Sequence, residues 1–304
     1  MPAPPQQRSG LGIALIIGSA CCFGSLAIFG KLGYRLGLTL PQLLGYRFAL
    51  AALLLWAAVL IWARRLPGRS HVIGLVLMGA AGYVGQSAGY FNALRYIPAS
   101  TTALLLYTYP VVVTLLAAVF FRESIGWNKL AAVGVAFLGT ILVVEAQVKT
   151  VAPVGILLGL SSAACYSAYI LYGSRLLPKV PAVSATAIIM SSAALVWLGY
   201  AAATRQLPVP MDRPRLLLIV AFAIVPTAVP ILAFIAGLRL LGPSRAAILS
   251  TFEPATTVVL AVIILGEGAS LPQLIGGALI LLSVLVLEGP GWRASRVLAQ
   301  ATRE

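Results

Sequence analysis

Charged side chains are scarce in this sequence, and acidic ones are the scarcest. Only 9% of the 304 residues are charged and 61% are hydrophobic, whereas about 25% of a typical soluble domain is charged. Lysine and arginine together number 21, aspartate and glutamate 7, and the mean hydropathy is +1.01. A water-soluble fold of this length could not cover its surface with so few charges, and a disordered chain would need more of them. The composition therefore predicts a helical membrane protein.

Histidine and cysteine are almost missing, which excludes several kinds of chemistry. The single histidine is His71, and the three cysteines, Cys21, Cys22 and Cys165, fall inside apolar runs without a CxxC spacing. We therefore expect no disulfide framework and no metal site. Paired carboxylates, a phosphate-binding glycine loop and a mid-helix lysine are also absent. We expect no enzyme and no cofactor, and the scattered basic residues do not favour nucleic-acid binding.

The apolar residues are grouped into ten long runs separated by short loops. A bilayer crossing takes about 20 apolar residues, and turn formers or charges lie in every gap between runs. The predicted spans are 11–34, 40–62, 71–92, 99–121, 127–147, 153–174, 182–203, 215–238, 245–265 and 271–288. The sequence therefore predicts an all-α polytopic protein whose partner is the lipid bilayer, with ten transmembrane helices.

The basic residues of the loops predict the orientation. If the N-terminus is cytoplasmic, 13 basic residues lie on the inside and 7 on the outside, and Arg47 lies within a helix. Cytoplasmic loops are enriched in lysine and arginine. We therefore predict that both termini are cytoplasmic and, for a bacterial protein, that the membrane is the inner one.

The two halves of the chain match each other at a nearly constant offset. An offset of 144 pairs Arg95 with Arg239, Ser100 with Ser244, Pro110 with Pro254 and Glu123 with Glu267, and an offset of 143 pairs Ser19 with Ser162. The predicted repeats are residues 1–148 and 149–304. Each holds five crossings, an odd number, so the second copy must enter the membrane from the opposite side. Such an inverted repeat favours a transporter with a midplane site that opens to each side in turn.

The stretches that carry the repeat also resemble a known family. IPASTTALLLYTYPVVVTLLAAVFFRES (97–124) and GPSRAAILSTFEPATTVVLAVIILGEGASLPQLIGGALILLSVLVLE (242–288) resemble the two EamA-type units of the drug/metabolite transporter superfamily. The likeness covers nearly the whole chain, although Arg122 stands where glycine is usual. It implies a ten-helix transporter that exports small metabolites. Among its relatives the chain is most similar to bacterial exporters of aromatic and other neutral amino acids.

Two equivalent helices are weakened by different residues. The third predicted helix carries a glycine stripe, Gly79, Gly82, Gly85 and Gly89, and the eighth carries Pro226 and Pro230. Small residues allow close helix packing, whereas a bendable helix could gate a pathway. Both interpretations stay open, and Pro110 and Pro254 are further hinge candidates in mid-helix.

Polar and aromatic residues inside the predicted spans are candidates for a substrate cavity. The candidates are Tyr83, Gln86, Ser87, Tyr90, Tyr107, Tyr166 and Tyr169. A cavity walled by tyrosines with few fixed charges suits an aromatic or amphiphilic solute, and aromatic faces attract an ammonium group. In contrast, Tyr34, Trp62, Trp127 and Trp292 lie near helix ends and are expected in the interfacial belt.

Two ionisable residues, Arg47 and Glu253, lie well inside predicted helices. Such residues usually pair or face a cavity, because a charge in the bilayer centre is costly. For Glu253 the alternatives are a protonated acid bonded to a carbonyl freed near Pro254, proton coupling, or contact with a substrate ammonium. For Arg47 they are a snorkelling or ion-paired structural residue, or a ligand for a substrate carboxylate.

The sequence thus favours a secondary transporter that exports neutral, aromatic amino acids by alternating access. A carrier of cationic drugs or of phosphorylated sugars is the alternative within transport, and the sugar variant expects more cavity arginines than Arg47 alone. A non-transporting membrane partner or sensor is the alternative outside transport.

Overall fold

The structure is a computed structural model in which nearly all described residues are helical. The described residues are 5–63, 66–121, 127–148, 152–207, 211–241, 246, 249–250 and 252–301. No strand occurs among them. Glu123, Arg122 and Ser244 lie outside these ranges, as does the predicted boundary between the repeats at residue 149.

The described residues form ten helical rods, several of which consist of consecutive helices. The first five are α1 (Pro5–Gly24 and Leu26–Arg35), α2 (Leu40–Ala58 and Val59–Ala63), α3 (Arg69–Leu77, Met78–Tyr83 and Val84–Ala93), α4 (Ala99–Leu106 and Tyr109–Phe121) and α5 (Trp127–Val148). The second five are α6 (Pro153–Leu176), α7 (Ala182–Ala203), α8 (Arg213–Ala223, Ile224–Ala228 and Val229–Leu241), α9 (Phe252–Leu260 and Ala261–Leu265) and α10 (Leu271–Ala301). The predicted number and order of spans are confirmed.

The largest disagreement concerns the end of α10. The prediction ended this helix at residue 288, before Gly289 and Pro290, but the helix continues to Ala301. A proline removes one backbone donor and fixes its own φ at a helical value, so the residues after it can remain helical. Gly289 and Pro290 therefore do not end the helix, contrary to the prediction.

The rods have the length and the surface of membrane-spanning helices. Six stretches are long and apolar enough to cross a bilayer, and four shorter apolar helices accompany them among the described residues. Leu60, Ile73 and Leu195 are each at least 70% exposed on the outside of the bundle. Such side chains lie against lipid, while backbone groups are satisfied within each helix. The chain is an all-α polytopic membrane protein.

The equivalent helices α4 and α9 run in opposite directions. Glu267 follows α9, and its carboxylate accepts hydrogen bonds from the backbone amides of Ala99 and Ser100, at the start of α4. The end of α9 therefore lies at the face of the bundle where α4 begins, and Phe121 lies at the far end of α4. This antiparallel relation is the one that an inverted repeat requires.

Helix packing follows the same pseudo-two-fold symmetry. The helices at equivalent positions, α5 with α10 and α2 with α7, make the most extensive contacts of the bundle. The packing of α1 on α8 in turn corresponds to the packing of α6 on α3. The fold therefore consists of two inverted five-helix repeats whose helices interleave.

Individual hydrogen bonds repeat this symmetry. The Ser19 hydroxyl in α1 donates to the carbonyl oxygen of Pro230 in α8 over 2.7 Å. At the equivalent positions, the Ser162 hydroxyl in α6 donates to the carbonyl oxygen of Gln86 in α3 over 2.9 Å. The carbonyl oxygens of Pro230 and Gln86 thus accept hydrogen bonds from serines at equivalent positions of the two repeats.

The predicted interfacial belt is correct for one of its described residues and wrong for another. Trp127 is 85% exposed at the start of α5, as a belt residue should be. Tyr34 instead turns inward, and its hydroxyl donates to the carbonyl oxygen of Phe91 over 2.7 Å. The side chains of Trp62 and Trp292 lie outside the described part of the chain.

Candidate functional site

A break in α4 places the first component of the candidate site. The helix ends at Leu106 and begins again at Tyr109, so Tyr107 and Thr108 interrupt it just before Pro110. The Thr108 hydroxyl donates to the carbonyl oxygen of Leu105 over 2.8 Å, which satisfies one acceptor freed by the break. Interrupted helices at membrane depth are tolerated where they are buried in protein or line a cavity.

Six aromatic side chains from four helices form a continuous row, which we call the aromatic chain. Its members in order are Phe48, Tyr83, Tyr169, Tyr166, Tyr109 and Tyr107, with successive ring centroids 5.4, 5.9, 5.8, 4.8 and 5.7 Å apart. These separations lie in the range of favourable aromatic pairs. The chain connects α2 and α3 through α6 to the break in α4. It brings together four of the predicted cavity residues and adds two, Phe48 and Tyr109.

Glu253 of α9 lies at the end of the aromatic chain. The Tyr107 hydroxyl oxygen is 2.9 Å from Oε2 of Glu253 and 2.9 Å from the carbonyl oxygen of Ser250. A phenol has one proton and can donate to only one of these two acceptors. Both contacts are hydrogen bonds at the same time only when a protonated Glu253 donates to Tyr107 and Tyr107 donates to Ser250. The geometry therefore accommodates a neutral glutamic acid.

Arg47 is fully buried and is held without a carboxylate among the described residues. Only 1% of its surface is exposed, and its Nε donates to the hydroxyl of Thr227 over 2.8 Å. The guanidinium lies 4.8, 5.6 and 4.7 Å from the ring centroids of Phe48, Phe91 and Phe222. Cation–π contacts of this kind stabilise a desolvated arginine. The ion pair that was one interpretation of Arg47 is therefore not formed by the residues that the structure describes.

Pro226 in α8 explains the position of Thr227, the partner of Arg47. Pro226 lacks the amide that would bond the carbonyl of Phe222, and the hydroxyl of Thr227 donates to that carbonyl over 2.9 Å. The same hydroxyl accepts from Arg47. Thr227 therefore joins the broken backbone of α8 to α2, a role for which the only sequence signal was its place after a mid-helix proline.

The two weakened helices share a local geometry. The segments Met78–Tyr83 in α3 and Ile224–Ala228 in α8 form wide π-helical turns at equivalent positions of the repeat. Such turns are frequent at functional sites. Tyr83 and Thr227 correspond to each other at the offset of 144, and both interact with Arg47.

The glycine stripe of α3 lies in tight helix contacts. A Cβ at Gly79 would overlap Ser192 and Ile189 of α7, and one at Gly89 would lie 2.9 Å from the carbonyl oxygen of Leu158 in α6. At Gly82 and Gly85, the nearest atoms belong to Tyr169 (3.0 Å) and Cys165 (3.4 Å), respectively. The packing interpretation of the stripe thus has direct contacts, while its gating role stays a prediction.

Three predicted cavity residues lie apart from the aromatic chain. Gln86 is buried against Ser162, Ser87 donates to the carbonyl oxygen of Val84 in its own helix, and Tyr90 is 3% exposed beside Phe91. The amide of Gln86 and the hydroxyl of Ser87 bond between and within helices, whereas the phenol of Tyr90 interacts with Arg47 and Glu253. Among the remaining hinge candidates, Pro254 is buried at the start of α9 and Pro230 is the acceptor for Ser19.

A large cavity lies away from the aromatic chain, at the face where α1 ends and α2 begins. It has a volume of about 1030 Å³, and Lys31, Tyr34, Arg35, Arg95 and Trp197 are among its lining residues. Neither Tyr107, Tyr166 nor Glu253 lines it. This cavity is not among the sequence predictions, although three basic residues on the side predicted to be poor in them were a usable signal. No cluster that could hold a metal ion occurs among the described residues.

Comparison with known proteins agrees with this architecture. Over 277 residues the chain is 27% identical to the uncharacterized transporter YcbK of Bacillus subtilis, and this alignment covers 87% of this chain and 88% of that protein. It is 30% identical over 209 residues to an uncharacterized transporter of Archaeoglobus fulgidus, which covers 68% of this chain and 72% of the relative. The uncharacterized inner membrane transporter YicL of Salmonella typhimurium is 23% identical over 234 residues, with 76% and 78% covered.

A solved structure shows the same fold. It is described only as "Crystal structure of protein", superposes with a TM-score of 0.63 at 21% identity, and covers 92% of this chain and 97% of its own. The model of the EamA-like transporter family matches the chain twice, at residues 10–145 and 153–288. The chain therefore belongs to the EamA-like transporter family of the drug/metabolite transporter superfamily.

Proposed function

We propose that this transporter exports neutral amino acids with aromatic side chains across the bacterial inner membrane. The observation that carries the proposal is the aromatic chain that ends at Glu253. Tyrosine faces attract both an aromatic ring and an ammonium group. A carboxylate beside the break in α4 can accept hydrogen bonds from that ammonium.

Alternating access is the proposed mechanism. Its support is the inverted repeat, in which the wide turns of α3 and α8 occupy equivalent positions. A pair of equivalent weak points allows one helix to bend while the other stays straight, and the exchange of these roles would expose the site to the opposite side. The weak points lie beside Tyr83 and Thr227, so bending there would also move the groups that hold Arg47.

Proton coupling through Glu253 is the proposed driving force. The two contacts of Tyr107 are satisfied together when Glu253 is protonated, as described above. A substrate ammonium can replace that proton as the partner of the carboxylate. Competition between a proton and an ammonium for one carboxylate couples inward proton movement to outward solute movement if the carrier changes sides only with one of the two bound.

An exporter of cationic drugs is the second candidate, because the same tyrosines and Glu253 would bind an amine without a carboxylate. Arg47 is the interior group that could distinguish the two, but it is buried among three phenylalanine rings. Phosphorylated sugars are less favoured, since the described interior offers no cluster of free cations around the aromatic chain.

Exchange in proteoliposomes tests the proposal. Vesicles preloaded with labelled phenylalanine are diluted into each of the twenty amino acids, into phenethylamine and into a sugar phosphate. The proposal expects exchange with phenylalanine, tyrosine and tryptophan above the others, and preference for phenethylamine would favour the cationic alternative. Exchange with no compound of the panel would overturn the function.

Variants on α6 assign that exchange to the aromatic chain. Tyr166→Leu removes a ring in the middle of the chain and should raise the half-saturating phenylalanine concentration by about tenfold, the equivalent of one aromatic contact. Tyr172→Leu is the matched control, because Tyr172 lies on the same helix, is 49% exposed and does not belong to the aromatic chain. Equal effects of the two substitutions would remove the chain from the substrate site.

A further inference from the structure

The 1030 Å³ cavity has walls from both repeats but no residue of the aromatic chain. It lies between the ends of α1, α3 and α7 and the start of α2. A neighbouring cavity of about 350 Å³ shares Lys31, Arg35 and Arg95 with it. Sites for small molecules are concave and of comparable size, so this region is large enough for a ligand of its own.

The charge of the cavity wall has one sign. Lys31, Arg35 and Arg95 line the large cavity, and no aspartate or glutamate is among its described lining residues. Glu267 reaches the smaller cavity, but its two oxygens already accept hydrogen bonds from Ala99 and Ser100. Glu267 keeps its negative charge and acts on Lys31, but three cations against one carboxylate still leave a net positive field in a partly enclosed space. Such a field concentrates anions.

The three cations have N–H groups that remain available to a ligand. One N–H of Lys31 donates to the carbonyl oxygen of Ile97 over 3.0 Å, which leaves two of the three ammonium protons. Arg35 and Arg95 are exposed and form no ion pair with the residues that the structure describes. An arginine can offer two parallel N–H groups to one carboxylate.

A buried donor in the same wall also needs an acceptor. Trp197 is 6% exposed, and its indole N–H has no hydrogen-bond partner among the described residues. A buried indole N–H normally has a partner, and a lost hydrogen bond to a buried donor is costly. The wall also holds one buried acceptor without a partner among the described residues, Oε1 of Gln206. The excess of donors in the wall therefore comes from the three cations.

Apart from the neutral polar residues Thr39, Asn92 and Gln206, the rest of the wall is mostly apolar and aromatic. It includes Leu38, Leu94, Val196 and the rings of Tyr34 and Tyr200. A small inorganic anion would leave these surfaces uncovered, whereas an acid with an apolar body would bury them. The wall therefore matches a ligand that has a negative oxygen group at one end and an apolar body at the other.

We propose that this cavity is a binding site for amphiphilic anions, most simply an aromatic carboxylate, and that it is separate from the aromatic chain. The anionic oxygens lie against Arg95, Arg35 and Lys31. A soluble carboxylate and the phosphate of an anionic lipid share this chemistry. The proposal does not depend on the exported substrate, because it concerns binding alone.

Titration of the purified full-length protein in neutral detergent tests the site. Phenylacetate is the probe, phenethylamine is its cationic counterpart, and binding is followed by calorimetry and by tryptophan fluorescence. We expect saturable phenylacetate binding that weakens as salt rises. Phenethylamine should not bind at this site, so any phenethylamine binding should be the same in the wild type and in the cavity variants. Because no transport is measured, a failure here and a failure of the proposed export are distinguishable.

Substitutions in the wall locate the bound anion. Arg95→Gln and Lys31→Gln should each weaken phenylacetate binding by about fivefold, the effect of removing one partly exposed charge. Arg213→Gln is the matched control, since Arg213 begins α8 on the same face but lines neither cavity.

Nanodiscs distinguish the two sources of the anion. If phosphatidylglycerol lowers phenylacetate affinity relative to phosphatidylcholine in the wild type but not in the Arg95→Gln variant, a lipid phosphate occupies the site. Equal affinity in both lipids assigns the site to soluble acids. Absence of salt-dependent phenylacetate binding in the wild type would overturn the proposal, and so would unchanged phenylacetate binding in the Arg95→Gln and Lys31→Gln variants.

Discussion

The carboxylate of Glu267 holds Ser100 by two hydrogen bonds, one from its amide over 3.1 Å and one from its hydroxyl over 2.9 Å. Glu267 follows α9 in the second repeat, and Ser100 belongs to the first turn of α4 in the first. The bonds place a negative charge at the positive end of a helix. Gln273 adds a further bond, from its Nε2 to the Ser100 hydroxyl over 2.9 Å. One helix start is thus capped by residues about 170 positions away.

Removal of this charge should destabilise the bundle. Glu267→Gln retains the shape of the side chain but weakens the cap, and we expect a loss of about 1 kcal/mol in the free energy of unfolding. Thermal unfolding in detergent measures the effect. Asp212→Asn is the control: Asp212 accepts from the Arg215 amide at the start of its own helix, and asparagine caps equally well. A Glu267→Gln protein as stable as the wild type would show that the cap contributes nothing.

The same cap should recur at the opposite end of the bundle. The offset of 144 places Glu123 where Glu267 stands and Ser244 where Ser100 stands, although both lie outside the described residues. We predict that Glu123→Gln and Ser244→Ala each lower stability and that the double variant loses less than the sum. A double-mutant cycle measures this coupling. Strictly additive losses would show that these two residues do not interact.

Much of the fold follows from the sequence, because membrane helices depend on local composition. The ten spans could be predicted from apolar runs, since lipid forces each run to satisfy its own backbone. The inversion followed from an odd number of crossings and from pairs such as Pro110 and Pro254. The wide turns of α3 and α8 and the continuation past Pro290 depend on local backbone geometry, which hydrophobic patterning does not encode.

The site was less accessible to sequence reasoning than the fold. Tyr83, Tyr107 and Tyr166 were predicted from their depth, and the structure places them in one row. Gln86 met the same criterion but packs against Ser162 of α6, because spacing along one helix does not reveal which helix lies opposite. Thr227 was missed for the same reason, since its partner Arg47 lies 180 positions away in the sequence.

Removal of the Thr227 hydroxyl should destabilise the protein, because this hydroxyl holds Arg47. Thr227→Val keeps the volume and removes the hydroxyl that accepts from Arg47 and donates to the Phe222 carbonyl. A buried charged donor without a partner costs about 1–3 kcal/mol, so the midpoint of thermal unfolding should fall clearly. Thr186→Val is the control, because its hydroxyl donates only within α7, to Ala182. Similar small shifts in both variants would contradict this account.

Accessibility measurements should place the face that carries the large cavity on the outside. Met211 lies in the loop between α7 and α8, on the face predicted to be periplasmic, and Lys179 lies in the turn after α6, on the opposite one. In a background without native cysteines, Met211→Cys should react with a membrane-impermeant maleimide in intact cells. Lys179→Cys should react only after permeabilisation. The reverse pattern would invert the predicted orientation and leave the fold unchanged.

Glu253 should decide whether export responds to pH. If protons enter as the solute leaves, acidifying the medium outside preloaded proteoliposomes should accelerate the efflux of labelled phenylalanine. Glu253→Gln cannot release a proton, so this acceleration should disappear. Exchange of phenylalanine for phenylalanine should continue at saturating concentration, with a raised half-saturating concentration, because the amide still accepts from the ammonium but carries no charge. Glu267→Gln removes a carboxylate outside the aromatic chain and should retain the response. An undiminished acceleration in Glu253→Gln would assign the driving force elsewhere, because the protonation that satisfies both contacts of Tyr107 would then have no part in the cycle.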